Sequence, residues 1–152
     1  MPTNDSAAGR LLLINGPNLN LLGSREPEIY GTATLADVEE LVTARASQHG
    51  FEMRCVQSNH EGVLLDAIAA ARDDCVGIIA NPGAYSHTSV AMRDAFAAAE
   101  LPLVEVHISN IHQREEFRRF SYVSAVASAV ICGAGVQGYE FAVDRLARIL
   151  LG

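Results

Sequence analysis

The chain has no lysine and no tryptophan among its 152 residues. Without lysine, no side-chain amine is present to form an imine with a carbonyl substrate. The same absence excludes a phosphoryl receiver, which needs a lysine after its last strand and an acidic cluster after its first; here the first strand ends in Asn15. The lack of tryptophan says little about function. Cysteine is scarce, and Cys55, Cys75 and Cys132 form no C-x-x-C pair. They read as small buried hydrophobes in a reducing cytosol, and the expected location is cytoplasmic. No apolar run approaches the roughly 18 residues of a membrane helix. Met1 to Arg10 is polar, lacks the basic-then-apolar order of a signal peptide and reads as a frayed leader. Basic residues are outnumbered 11 to 18, and the net charge of −7 carries no basic stripe. That argues against a nucleic-acid partner. A small anionic substrate would need local Arg, His or N–H groups to overcome the global field.

What is present suits a packed core. Hydrophobic residues make up 49% and charged residues 19%, over a length expected of one domain, 1–152. The apolar run Leu11 to Ile14 reads as a buried strand. Thr34 can cap a helix with Asp37 in its first turn. Leu35, Val38, Leu41, Val42 and Ala46 then recur on one face until Gly50. Phe51 to Gln57 alternates as a strand, Ser58 to Gly62 is a polar corner, and Val63 to Arg72 is the next helix. Val76 to Ala80 is a short strand, and a third helix runs from about Thr88 to Ala99. Leu103 to Ile108 and Ala127 to Cys132 complete the strands, and Tyr139 to Leu151 is a closing helix. Strands alternating with such helices imply parallel pairing through right-handed crossovers. The pattern predicts an α/β, flavodoxin-like, doubly wound five-stranded sheet with helices on both faces. Ligands of that class sit beyond the carboxyl ends of the strands.

The stretch Ile14 to Gly31 reads I-N-G-P-N-L-N-L-L-G-S-R-E-P-E-I-Y-G. Gly and Pro end the strand and set turns, while Leu19, Leu21, Leu22 and Ile29 are too apolar for a solvated tail. It is either an ordinary surface connection or a flap, 23–31, carrying Arg25 and Tyr30 over a pocket. A phenol is only about 0.1% ionised at pH 7, and a neighbouring cation such as Arg25 favours the phenolate. The alternative for Tyr30 is plain packing against the core. His107 lies near the end of a predicted strand and shares a face with Glu105 through the strand's period of two. A carboxylate beside an imidazole fixes its tautomer and favours the protonated form of a general acid. Otherwise His107 is a buried ring satisfied by a carbonyl. The loop Asn81 to Ser89 can bind an anion through its N–H groups, with Thr88 or Ser89 capping the helix as well. Arg114, Glu115, Glu116, Arg118 and Arg119 read as a solvated, self-paired surface from which one Arg can turn inward. Asn15, Asn18, Asn81 and the segment His107 to Asn110 all fall at one sheet edge.

The flap sequence, Q-S-N-H-E-G, N-P-G-A-Y-S-H-T-S-V-A-M-R-D-A and E-V-H-I-S-N-I-H-Q-R-E-E-F-R-R, in that order, resemble the type II dehydroquinase family. The resemblance runs from Leu11 to Leu151 and includes I-C-G-A-G-V-Q-G-Y near the end. It implies a 3-dehydroquinate dehydratase of the shikimate or quinate pathways that eliminates water in the anti sense through an enolate, with no cofactor, metal or lysine imine. Tyr30 would remove the C2 proton, Arg25 would hold Tyr30 as its phenolate, and Asn18 would position a water against the enolate oxygen. His107, oriented by Glu105, would protonate the departing C1 hydroxyl. The backbone of Ile108 and Ser109 would grip the substrate carboxylate, while Asn81, His87 and Arg118 would hold the ring hydroxyls. The resemblance also implies a homododecamer of four trimers, with Asp94 reaching a neighbouring subunit's site, and neither nucleic acid nor membrane as partner.

Two other readings compete. A flavodoxin-like module binding phosphate or flavin usually has a Ser/Thr-Gly-rich phosphate loop, whereas this loop is Asn-Gly-Pro-Asn. A metal-dependent hydrolase would draw on His60, His87, His107, His112 and Glu105, but no H-E-x-x-H or comparable spacing appears.

Overall fold

A computed structural model describes residues 8–24 and 26–152. Its main elements are β1 (Gly9–Asn15), α1 (Pro27–Tyr30), α2 (Leu35–Gln48), β2 (Phe51–Gln57), α3 (Glu61–Asp74), β3 (Gly77–Asn81), α4 (Val90–Ala99), β4 (Leu103–His107), β5 (Ala129–Cys132) and α5 (Gln137–Leu151). Leu11, Leu12, Leu13 and Ile14 are all fully buried. Consecutive strand residues point to opposite faces, so β1 must be covered on both. Leu11 and Leu13 pack with Val38 and Val42 of α2 and with Val143 and Leu146 of α5. Leu12 and Ile14 pack with Leu64 and Ile68 of α3 and with Met92 and Phe96 of α4. The five strands are parallel in the order β2-β1-β3-β4-β5. This is the expected flavodoxin-like, doubly wound sheet. Among the described residues no helix is long and apolar enough to cross a membrane.

From β1 the chain moves outward to β2, then returns past β1 to β3. That reversal opens a crevice at the carboxyl ends of β1 and β3. The two ends lie very close: Gly16 N–H donates to the Asn81 carbonyl at 2.8 Å. A Cβ on Gly16 would sit 2.0 Å from the Pro82 carbonyl oxygen.

Element ends depart from expectation where a local bond decides them. The expected leader, residues 1–10, gives up Gly9 and Arg10 to β1, because β2 offers Phe51 and Glu52 as register partners. Arg10 is also tied to Glu52 at 3.3 Å and to Asp74 at 3.5 Å. Residues 1–7 of that leader lie outside the described residues. α4 starts at Val90 rather than Thr88, because the Ser89 hydroxyl accepts the Met92 N–H at 2.9 Å and Gly83–His87 coils as a separate 3-10 turn. Thr34 caps α2 as expected, in a reciprocal capping box with Asp37. The cysteines are free thiols. Cys75 is buried, and burial pushes the half-buried Cys55 thiol up to about 11, which keeps it neutral.

Candidate active site

The crevice draws its walls from three segments. Asn18, Leu19, Leu22 and Tyr30 follow β1; Asn81, Gly83, Ala84 and His87 end or follow β3; His107, Ile108, Ser109, Arg114 and Arg118 end or follow β4. Its free space, mouth included, is about 780 Å³, within the range that holds a small organic molecule.

The polar corner after β2 supports the first wall. Asn18 adopts a left-handed backbone (φ 67°), and its N–H donates to Asn59 Oδ1 at 2.9 Å. Gln57 Nε2 donates to the Gly16 carbonyl at 3.2 Å, and the Tyr85 hydroxyl donates to the Asn59 carbonyl at 2.5 Å. Asn18 is thereby held at the crevice by backbone bonds, and its side chain lines the wall.

Tyr30 ends α1 half-buried. Arg114 Nη1 donates to Tyr30 Oη at 2.7 Å, and the guanidinium carbon lies 5.6 Å from the ring centroid. With Arg118, which also lines the crevice, Arg114 is thus an arginine of the charged stretch that turns inward. Its direction is set just upstream, where Asn110 Oδ1 accepts the His112 N–H at 3.1 Å and opens the 3-10 turn Ile111–Gln113. The expected partner of Tyr30, Arg25, lies outside the described residues.

His107 and Glu105 share a face of β4, both buried, with Nε2 and Oε2 2.5 Å apart. Ser124 Oγ lies 3.0 Å from Glu105 Oε1 and donates to the carboxylate. A carboxylate accepts, so Nε2 is the donor and Nδ1 is the ring nitrogen available to a ligand. His87 is fixed in the opposite tautomer. Its Nδ1 meets the Phe120 carbonyl at 2.7 Å, so Nδ1 carries the proton and Nε2 keeps a lone pair. Burial lowers its pKa, outweighing the Phe120 bond that raises it. The two imidazoles stack with centroids 6.2 Å apart.

Asn81 Oδ1 accepts the Gly83 N–H at 3.2 Å, and Arg118 Nε donates to Glu115 Oε2 at 2.8 Å. Tyr30, His107, Asn18, Asn81, His87, Ile108, Ser109 and Arg118 all reach the crevice, with Glu105 directly behind His107. Asp94 does not: it is exposed on α4, away from its own chain's crevice wall. Sequence reasoning left Arg114 unassigned, because its only local signal is a run of alternating charges. Of the residues of the metal-hydrolase reading, His87, His107 and Glu105 meet at the crevice, while His60 and His112 lie on other segments. His60 occupies the N-cap position of α3 without a side-chain capping bond and His112 lies in a 3-10 turn, and the described residues contain no group of three His, Cys, Asp or Glu placed to hold a metal.

Arg114 and Arg118 share Glu115 as a carboxylate partner and bring the cationic groups that a small anion needs to the crevice of an acidic chain. A phenol held by a cation and an imidazole held by a carboxylate enter from different segments, an arrangement of the class found in enzymes that act on small molecules. The chain belongs to the class II dehydroquinases, the type II 3-dehydroquinate dehydratases, a family of hydro-lyases: the family described as "Dehydroquinase class II" matches residues 9–147. It is similar to 3-dehydroquinate dehydratase 1 of Corynebacterium efficiens, 66% identical over 140 residues that cover 92% of this chain and 93% of that protein. It is also similar to the catabolic 3-dehydroquinase of Pyricularia oryzae, 58% identical over 142 residues that cover 92% of this chain and 90% of that protein. The crystal structure of type II dehydroquinase from Propionibacterium acnes matches with a TM-score of 0.88 at 41% identity, covering 92% of this chain and 97% of that one.

Proposed function

We propose that the chain dehydrates 3-dehydroquinate to 3-dehydroshikimate by anti elimination through an enolate, serving shikimate formation or quinate breakdown in the cytoplasm. The observation that carries this reading is that Tyr30 and His107 line one crevice from separate segments, each with its own charged partner. Tyr30, as phenolate, takes the proton from C2, alpha to the ketone. The Arg114 N–H on its oxygen favours the anion, and Arg25 on the same flap adds to that effect. Asn18 positions a water that stabilises the enolate oxygen. His107, as imidazolium, then delivers the Nδ1 proton to the C1 hydroxyl, the C1–O bond breaks, and water leaves. Glu105 fixes the ring and balances its charge.

The backbone of Ile108 and Ser109 holds the substrate carboxylate, and Asn81, His87 and Arg118 hold the ring hydroxyls. The neutral Nε2 of His87 suits this, because it accepts from a hydroxyl. The flap 23–31 closes over the substrate and excludes water, all within a single catalytic domain. We assign the assembly as a homododecamer of four trimers in which Asp94 serves a neighbour's site. Its exposure outside its own crevice supports this, as do the exposed Val90, Phe117 and Phe120.

The test is ultraviolet absorbance of the purified protein with 3-dehydroquinate and EDTA. The product's enone is conjugated with its carboxylate and absorbs where the substrate does not. A rise that vanishes in Tyr30→Phe is expected. No rise from folded, assembled protein would leave a binding site without turnover and overturn the reading.

A further inference from the structure

The motif I-C-G-A-G-V-Q-G-Y ends in Tyr139, which takes no part in the elimination. Its ring is fully buried at the start of α5, under the carboxyl ends of β1 and β3. Tyr139 Oη is 2.7 Å from Asn15 Oδ1 and 2.7 Å from Asn81 Nδ2. Asn15 and Asn81 are register partners, each the last residue of its strand.

The direction of this chain of hydrogen bonds is dictated from one end. The Gly83 main-chain N–H can only donate, and it takes Asn81 Oδ1 at 3.2 Å. Asn81 must therefore turn its nitrogen to Tyr139. The phenol accepts there and gives its own proton to Asn15 Oδ1. Burial pushes the Tyr139 phenol upward, with the Asn81 bond opposing, so the proton stays in place at working pH. One hydrogen of Asn81 Nδ2 is committed to Tyr139 and one lone pair of its oxygen to Gly83. Asn81 retains its second N–H and the other lone pair, each in a direction that the two bonds fix, at the crevice that it lines.

We propose that Tyr139 is a positioning residue that locks the Asn81 carboxamide, so that its remaining N–H is held in one direction for a substrate oxygen that accepts. The inference rests on the proposed role of Asn81 in holding the substrate. A freely rotating amide would offer either its oxygen or its nitrogen and discriminate less between accepting and donating groups.

Tyr139→Phe keeps the ring and removes only the oxygen. The expected result is a KM for 3-dehydroquinate raised about five- to tenfold, the factor of one neutral hydrogen bond. The kcat should stay within about twofold, as for loss of binding shared by ground and transition states. In an Asn81→Ala background the same substitution should change nothing further, because two residues acting through one contact are not additive. An unchanged KM, or the same factor in both backgrounds, would overturn the proposal, since a purely structural tyrosine acts regardless of Asn81. Should Tyr139→Phe fail to fold, Asn15→Ala removes the phenol's acceptor while leaving ring and hydroxyl in place, and enters the same cycle with the same criteria. A folded wild type without turnover would overturn both this inference and the proposed function. An active wild type with an additive cycle would overturn this inference alone.

Discussion

Arg114 and Tyr30 are 84 positions apart in sequence, yet their side chains meet at 2.7 Å. The guanidinium stabilises negative charge on the phenol oxygen, so Arg114→Ala should cost on the order of 10² in kcat, the usual effect of deleting one donor to a charged oxygen. Arg114→Lys keeps a cation but loses the guanidinium fork, so it should restore part of that loss. An Arg114→Ala variant with unchanged kcat would contradict the assignment. Gly16 is constrained by space rather than by chemistry. A Cβ there meets the Pro82 carbonyl at 2.0 Å, so Gly16→Ala should force β1 and β3 apart and destabilise the fold by about 1–3 kcal/mol. Urea unfolding would measure this, and a variant as stable as wild type would refute it. At this scale Tyr30 stayed open between a flap and core packing, and the Glu105–His107 pair was legible in the sequence, because a strand's period of two places Glu105 beside His107. Arg114 was not, because nothing local separates an inward arginine from its solvated neighbours.

The elements were legible where the chain carries its own punctuation. Thr34 and Asp37 bond reciprocally, at 3.2 Å and 3.0 Å, and start α2 where the spacing predicts. Thr34→Ala should cost about 1 kcal/mol of stability, or roughly 2–4 °C in melting temperature for a chain of this size. Differential scanning calorimetry would show it. The ends that moved are those where two polar residues compete. Thr88 and Ser89 can both cap α4, and the one whose hydroxyl reaches the Met92 N–H prevails. Gly9 and Arg10 look like a polar leader, yet they lie opposite Phe51 and Glu52 and extend β1.

Across the whole molecule, α2 and α5 cover one face of the sheet and are clipped together by Asp144. Arg45 Nε and Nη2 each donate to its carboxylate at 2.7 Å, and His49 Nε2 lies 2.8 Å away. The Arg45 bond, above all, holds the Asp144 carboxyl down at about 2. An unfolded aspartate titrates near 3.9, so the folded form binds its proton later. The contribution is therefore fully present above about pH 4 and lost as pH falls towards about 2. Asp144→Asn should be less stable than wild type at neutral pH, modestly because the pair is part-exposed. The gap should close between about pH 4 and about pH 2 in urea titrations. A gap that stayed constant with pH would rule the clip out as its source.

Periodicity, caps and breakers act over a few residues, and they alone determined which segments are strands and helices and which faces are apolar. They also placed Asn15, Asn18, Asn81 and His107 at the carboxyl edge of a parallel sheet, with Glu105 on the same face as His107. Only the tertiary structure decided the strand order and the partners that cross it: Arg114 on Tyr30, and Tyr139 between Asn15 and Asn81, 124 and 58 positions away. The physical reason is that side-chain periodicity specifies which face a residue takes but not which strand lies beside it. Hydrogen bonds between distant residues exist only once the sheet has ordered its strands.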